Sequence, residues 1–144
     1  LPHPTTTSVE VLSWTDRIPD LLMRHHLVIS KAGGATTQES INALCPMIVS
    51  QVVRGQEEGN WELLKAHDAG ILATTPEQVV AAITSAFDHG ADQWRRWRSG
   101  LERLARPTAA SDIARQILAE TATECGPSLT RPTESQDLAR SVIP

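Results

Sequence analysis

Four short apolar runs, at residues 9–12, 27–29, 47–49 and 71–73, recur along the chain at intervals of roughly 18 to 24 residues. That interval is too long for hairpin turns. It fits compact βα units, in which a helix returns the chain to the same end of a sheet before the next strand begins. Parallel pairing follows, and it restricts where chemistry can sit. Right-handed crossovers put the ligand crevice beyond the carboxyl ends of the strands, so the functional candidates are segments 13–16, 30–37 and 51–60, with Thr74 and Thr75.

The segments between the runs carry helix signals. Asp16 is placed to cap a helix with Ile18, Leu21 and Leu22 on one face, and Pro19 is tolerated there because it lies in the first turn. Leu27-Val28-Ile29 is continuous and β-branched, as expected of a strand buried on both faces. Gly33 and Gly34 break it. Thr36-x-x-Glu39 has the capping-box pattern, Ile41 and Leu44 supply an apolar face, and Pro46 stops the helix. Asn60 is placed to cap a helix with Trp61, Leu63 and Leu64. The best-marked start is Thr75-Pro76-x-Gln78, ahead of Val79, Val80, Ile83 and Phe87. Trp94, Trp97, Leu101 and Leu104 define a further helix up to Pro107. Thr108 or Ser111 opens the last, with Ile113, Ile117 and Leu118.

These signals give an α/β fold with a Rossmann-like parallel sheet and flanking helices. A doubly wound sheet usually has about five or six strands. The shortfall, and a first residue that is Leu rather than Met, lead to the expectation that strands upstream of Leu1 are missing or supplied elsewhere. Residues 1–8 read as an extended lead-in, 9–121 as a nucleotide-binding half-domain incomplete at its N-terminal side, and 122–144, rich in Pro, Ser, Thr and charge, as a flexible tail or linker.

Composition narrows the function. With 13 Lys and Arg against 17 Asp and Glu, the net charge of -4 does not suit a duplex nucleic-acid binder. Four Trp, one Phe and no Tyr make a poor stacking platform for single strands. Cys45 and Cys125 are distant in sequence, so a reduced, cytoplasmic setting is the simpler reading. There is no long apolar run of membrane-spanning length and no leader pattern, which leaves peripheral attachment open.

Ala32-Gly33-Gly34-Ala35 has small residues wherever a bulky one would keep an anion from the backbone. Successive N–H groups and the start of the next helix suit a phosphate cluster there. A tight turn without a ligand is the alternative. Glu39 either completes a capping box with Thr36 or accepts hydrogen bonds from a ribose diol. In Arg54-Gly55-Gln56-Glu57-Glu58-Gly59-Asn60, amides and carboxylates lie between glycines, which suits sugar hydroxyls or simply a solvated loop. Trp14 either stacks on a base or plugs the sheet edge. His25-His26 lacks a third ligand at useful spacing, so no metal is expected. Arg95, Arg96, Arg98, Arg103 and Arg106 flank the Trp94/Trp97 stripe as a solvated face, or as a contact for anionic lipid headgroups or a partner domain.

Taken together, Val11-Leu12-Ser13-Trp14-Thr15-Asp16, the stretch from Leu27 through Gly33-Gly34-Ala35-Thr36-Thr37-Gln38-Glu39, Cys45-Pro46-Met47-Ile48-Val49 and Gly55-Gln56-Glu57-Glu58-Gly59-Asn60 resemble the C-terminal domain of glycosyltransferase family 28. This is the family of the lipid II N-acetylglucosaminyltransferase and the diacylglycerol glycosyltransferases. The resemblance runs over about residues 9 to 120 and is closer to the diacylglycerol branch. It implies part of a GT-B enzyme whose C-terminal domain holds a UDP-sugar donor and whose N-terminal domain holds a lipid or lipid-linked acceptor at the cytoplasmic membrane face. By this resemblance Gly33, Gly34, Ala35 and Thr36 face the diphosphate and Glu39 binds the ribose. Ser13 and Trp14 border the uracil, while Gln56, Glu57 and Asn60 meet the donor sugar or the diphosphate. It also implies inversion at the anomeric centre, no tightly bound cofactor or metal, and a catalytic base from the acceptor domain, in the same or a separate chain. A non-catalytic nucleotide-binding or structural subunit of a split transferase is the rival reading.

Overall fold

The computed structural model describes residues 8–124. The chain divides after Pro107 into two units. The first contains α1 (Ile18–Arg24), β1 (Val28–Lys31), α2 (Gly34–Asn42), β2 (Met47–Gln51), α3 (Glu58–Ala66), β3 (Gly70–Leu72), α4 (Pro76–Phe87) and α5 (Asp92–Leu104); the second contains α6 (Ala109–Glu124). The three strands are parallel in the order β1-β2-β3, each separated from the next by a helix, as the spacing of the apolar runs requires. This is a mixed α/β unit of partial Rossmann-like form.

The strand buried on both faces is β2 rather than β1. Met47, Ile48 and Val49 are all fully buried, and their alternation sends them to two separate clusters. Met47 and Val49 pack with Ala32, Ile41, Leu64, Ala69 and Leu101, on the side of α2, α3 and α5. Ile48 packs with Ala73 and Ala82 on the side of α4, flanked by Leu27, Val79 and Ile83. The sheet is therefore covered on both faces at its centre. Leu27-Val28-Ile29, expected to be buried on both sides, lies at an edge, and Ile29 is about half exposed.

Residues 9–12 do not form the expected fourth strand. Val9 and Val11 are 83% and 91% exposed. Among the described residues nothing hydrogen-bonds them into a ladder, and a four-residue run has no stability without a partner strand. The α4 start forms as read: Thr75 accepts from the Gln78 N–H at 3.3 Å, and the Gln78 side chain reaches back to the Thr75 N–H at 3.3 Å. The buried stripe of α4 is shifted by small residues. Ala82 and Ala86 are buried beside half-buried Val79 and Ile83, whereas Val80 and Phe87 face solvent. In α5, Trp97 and Leu101 are buried, and the half-buried Trp94 donates its ring N–H to the His26 carbonyl at 2.7 Å. Helix α6 follows Thr108, whose hydroxyl donates to Asp112 at 2.8 Å; Ile113, Ile117 and Leu118 are exposed on it. Of the expected lead-in and tail, only Ser8 and the last residues of α6 lie among the described residues.

Gly100 fixes how α5 meets the end of α3. A methyl group there would stand 2.3 Å from the His67 carbonyl oxygen and 2.5 Å from that of Asp68, so backbone would have to move. Arg103 reinforces the same approach by donating to the His67 carbonyl at 2.9 Å. Gly100→Ala should lower unfolding stability by about 1–3 kcal/mol, read as a lower urea midpoint. Gly59→Ala, where the added methyl meets open space on α3, is the control and should hold or raise the midpoint. Equal midpoints for Gly100→Ala and the unsubstituted chain would contradict this packing.

Candidate functional site

Beyond the carboxyl end of β1 the chain turns at once into α2. Gly33 is the N-cap in extended conformation, φ -66° and ψ 143°, and helix begins at Gly34. The first helical hydrogen bond at this end runs from the Thr37 N–H to the Gly33 carbonyl at 2.9 Å. The amides of Gly34, Ala35 and Thr36 precede it and have no acceptor within the helix. They present partial positive charge at the sheet's carboxyl edge. Because helix begins three residues earlier than expected, with Gly33 rather than Thr36 as N-cap, the Thr36–Glu39 capping box does not form; no side chain caps α2.

Nothing in the fold demands glycine at 33 or 34. Neither residue has positive φ, in contrast with Gly55 and Gly90. A Cβ on Gly33 would come no closer than 3.5 Å to the Lys31 ammonium, and one on Gly34 no closer than 3.9 Å to the Asn60 amide, both ordinary contacts. What the missing side chains leave is an approach to the backbone from outside.

The β2–α3 loop closes against this turn through Glu57 and Asn60. Glu57 Oε1 is paired with the Lys31 ammonium, and Glu57 Oε2 accepts from the Val53 N–H at 3.0 Å. Those two interactions, the lysine first, hold the Glu57 carboxyl below its usual value of 4.5 against an opposing effect of burial. Glu57 is the N-cap residue of α3, so Asn60 is not its cap. The Asn60 amide instead donates to the Ala32 carbonyl at 2.8 Å, across 28 residues of sequence. Next to this junction the β1–β2 register slips, with Ser30 opposite Val49 but Lys31 opposite Gln51.

Thr36 and Glu39, one turn apart on α2, line a cleft of about 670 Å³ along the open side of β1. Its other walls include Leu12, Leu22, Val28 and Ser30. The Glu39 carboxylate is exposed and has no hydrogen bond or ion pair among the described residues. The predicted residues thus gather in two neighbouring groups, Thr36 and Glu39 in the cleft and Gly33, Gly34, Glu57 and Asn60 at the turn. Ala35, in the first turn of α2, and Gln56, on the β2–α3 loop, are exposed beside them. Ser13 and Trp14 stand apart: both are exposed, Trp14 to 89%, in the loop before α1. Sequence reading missed the Lys31 pairing. The available signal was the parallel order, which places the carboxyl ends of β1 and β2 side by side.

Other reactive side chains have structural partners. Cys45 is buried and its thiol is pushed up to about 11 by desolvation, which makes it a poor nucleophile. His25 shares a 2.6 Å hydrogen bond with the Leu21 carbonyl, and His26 packs against the rings of Phe87 and Trp94. Among the described residues no three His, Cys, Asp or Glu converge as a metal site would need, and no helix is long and apolar enough to cross a membrane.

No protein-family model matches the chain. Individual relatives do. Monogalactosyldiacylglycerol synthase 2, chloroplastic, of Arabidopsis thaliana is 29% identical over 90 residues, covering 62% of this chain and 19% of the relative. The processive diacylglycerol beta-glucosyltransferase of Bacillus subtilis (strain 168) is 26% identical over 113 residues, 78% of this chain and 29% of the relative. The chain is a homologue of these glycolipid glycosyltransferases. The enzyme of the same description from Staphylococcus carnosus (strain TM300) is 29% identical over 92 residues, 60% of this chain and 24% of that protein. The likeness is consistent with a C-terminal domain of glycosyltransferase family 28. The chain spans between a fifth and three tenths of the length of these transferases.

In this homologue of glycolipid glycosyltransferases the Glu57 contacts carry a pH signature. A carboxyl whose folded pKa lies below its unfolded value stabilises the fold above the unfolded pKa, and that contribution is lost as pH falls through the folded pKa. The chain should therefore lose urea resistance on acidification below about pH 4.5, and Glu57→Gln should lose less over the same interval. Identical acid profiles for the two proteins would contradict the pairing.

Proposed function

We propose that this chain is the donor-binding portion of an inverting glycosyltransferase that moves a hexose from a UDP-sugar to a lipid or lipid-linked acceptor. The observation that carries the reading is the α2 entrance. Gly33 and Gly34 are glycines the fold does not need, set where the three amides of Gly34, Ala35 and Thr36 face outward. Relatives named for making galactosyl- and glucosyldiacylglycerols supply the substrate class.

In this reading the diphosphate lies on the α2 entrance. Its developing negative charge, as the sugar–phosphate bond breaks, is met by the three amides and the helix end. Glu39 accepts from the two ribose hydroxyls, a role left open by the absence of a capping box and of any other partner for its carboxylate. Ser13 and Trp14 border the uracil once the donor is seated. Gln56 and Asn60 lie on the sugar side of the diphosphate, and Glu57 holds that loop in place. The acceptor and the base that takes its hydroxyl proton belong to an N-terminal acceptor-binding domain in a GT-B arrangement, in the same or a separate chain. Alone, the chain binds donor weakly and transfers nothing. No tightly bound cofactor is required.

In this reading the work is done at the cytoplasmic face of a membrane, with peripheral attachment. Arg95, Arg96 and Arg103 line one face of α5 around a shallow cleft with Ser99 and Asp68, and this face suits anionic headgroups.

Titration of the chain with UDP tests the assignment. Glu39→Ala should keep the thermal midpoint, because Glu39 caps nothing, and weaken UDP by about tenfold, the loss of hydrogen bonds to a charged group. Gly34→Val should also stay folded and abolish measurable binding by covering the amides. Unchanged UDP affinity in Glu39→Ala would remove the ribose role, and unchanged affinity in Gly34→Val would remove the diphosphate site.

A further inference from the structure

Two loops from adjacent strands meet at a single cation, Lys31, which belongs to neither the glycine turn nor the sugar loop as the sequence defines them. Its side chain is 56% exposed while that of its partner Glu57 is only 6% exposed. A ligand arriving at the turn therefore meets the ammonium, with the carboxylate tucked behind it. The ammonium lies 3.5 Å from the position a Gly33 side chain would occupy, directly beside the α2 entrance. One donor is used by Glu57, and an ammonium has three. Glu57 is itself immobilised by the Val53 N–H at 3.0 Å, and the loop that carries it is tied to the turn by Asn60 and the Ala32 carbonyl at 2.8 Å.

Resting on the donor-site reading above, we infer that Lys31 is a diphosphate-binding residue, and that Glu57 is a positioning residue that aims the Lys31 ammonium at the α2 entrance rather than a group that touches the sugar. Three backbone amides carry only partial charge, whereas a nucleoside diphosphate carries two or more full negative charges; the ammonium supplies a full positive charge next to them. Holding it beforehand avoids ordering a flexible four-carbon stem at the moment of binding. The division of labour separates the two ends of the ligand: Lys31 discriminates UDP from uridine, while Glu39 acts on the ribose common to both.

The test measures dissociation constants of UDP and uridine for the full chain, for Lys31→Met, Lys31→Arg, Glu57→Gln and for the double variant Lys31→Met/Glu57→Gln. The double variant leaves no unpaired buried charge and guards against loss of fold in the single ones. Lys31→Met should weaken UDP by about tenfold and leave uridine unchanged; Lys31→Arg should retain most of the UDP affinity. Glu57→Gln should weaken UDP alone, and by less. The double variant should match Lys31→Met, because Glu57 acts through Lys31. A UDP-to-uridine affinity ratio that survives Lys31→Met overturns the lysine's role while leaving the donor site standing. Additive losses in the double variant overturn the positioning role of Glu57. A chain that binds UDP no better than uridine overturns both this inference and the donor-site reading.

Discussion

The unit is organised by the burial of Met47, Ile48 and Val49 on both faces of the sheet. With no solvent on either side of β2, this strand must have a helix layer above and below and a strand on each flank. Those flanks are β1 and β3. Everything at the site inherits its position from that arrangement. β1 and β2 end side by side, so the β1–α2 turn and the β2–α3 loop open at the same edge. Large-to-small substitution in such a strand typically costs about 2–5 kcal/mol, a large part of what a unit this size has in hand.

On that frame the site divides stiffness and openness between neighbouring residues. Lys31, Glu57 and Val53 in one set and Asn60 and Ala32 in another link the two loops by hydrogen bonds. Beside them lie bare backbone at Gly33 and Gly34 and, further along α2 in the neighbouring cleft, a Glu39 carboxylate that is unpaired among the described residues. Rigid surroundings with vacant donors and acceptors suit recognition of a ligand's charge and hydroxyls, since little remains to be ordered on binding. The contrast with Gly70 and Gly100 sharpens the point. At those positions a methyl would fall 2.2 Å and 2.3 Å from backbone oxygens, so packing alone accounts for glycine.

Local signals were legible in the sequence and long-range ones were not. The Thr75–Gln78 capping box needs only residues three apart, and it forms as read. The apolar runs of β1, β2 and β3 were found because strand identity at the core follows from side-chain character. Residues 9–12 have that character too, yet a strand is completed by a neighbour, and none among the described residues hydrogen-bonds to them. Thr36-x-x-Glu39 fitted a capping pattern, but the glycine before it enters the helix directly, and pattern matching ranks a threonine above a glycine as a start. Val80 and Phe87 were assigned to the buried stripe of α4 because size suggests burial; the tight approach to the sheet uses Ala82 and Ala86 instead. Lys31 and Glu57 lie 26 residues apart, and no spacing rule joins them. The resemblance to glycolipid glycosyltransferases is legible in these segments, and the relatives' names agree with it.

The central claim is that the α2 entrance receives a nucleotide diphosphate. Amide chemical-shift mapping of the chain during addition of UDP tests it most directly. The account predicts that the largest shifts fall on Gly34, Ala35 and Thr36, with smaller ones at Glu39 and along residues 53–60. Saturating UDP with those amides unmoved, or with the largest shifts on α4 and α5, would contradict it.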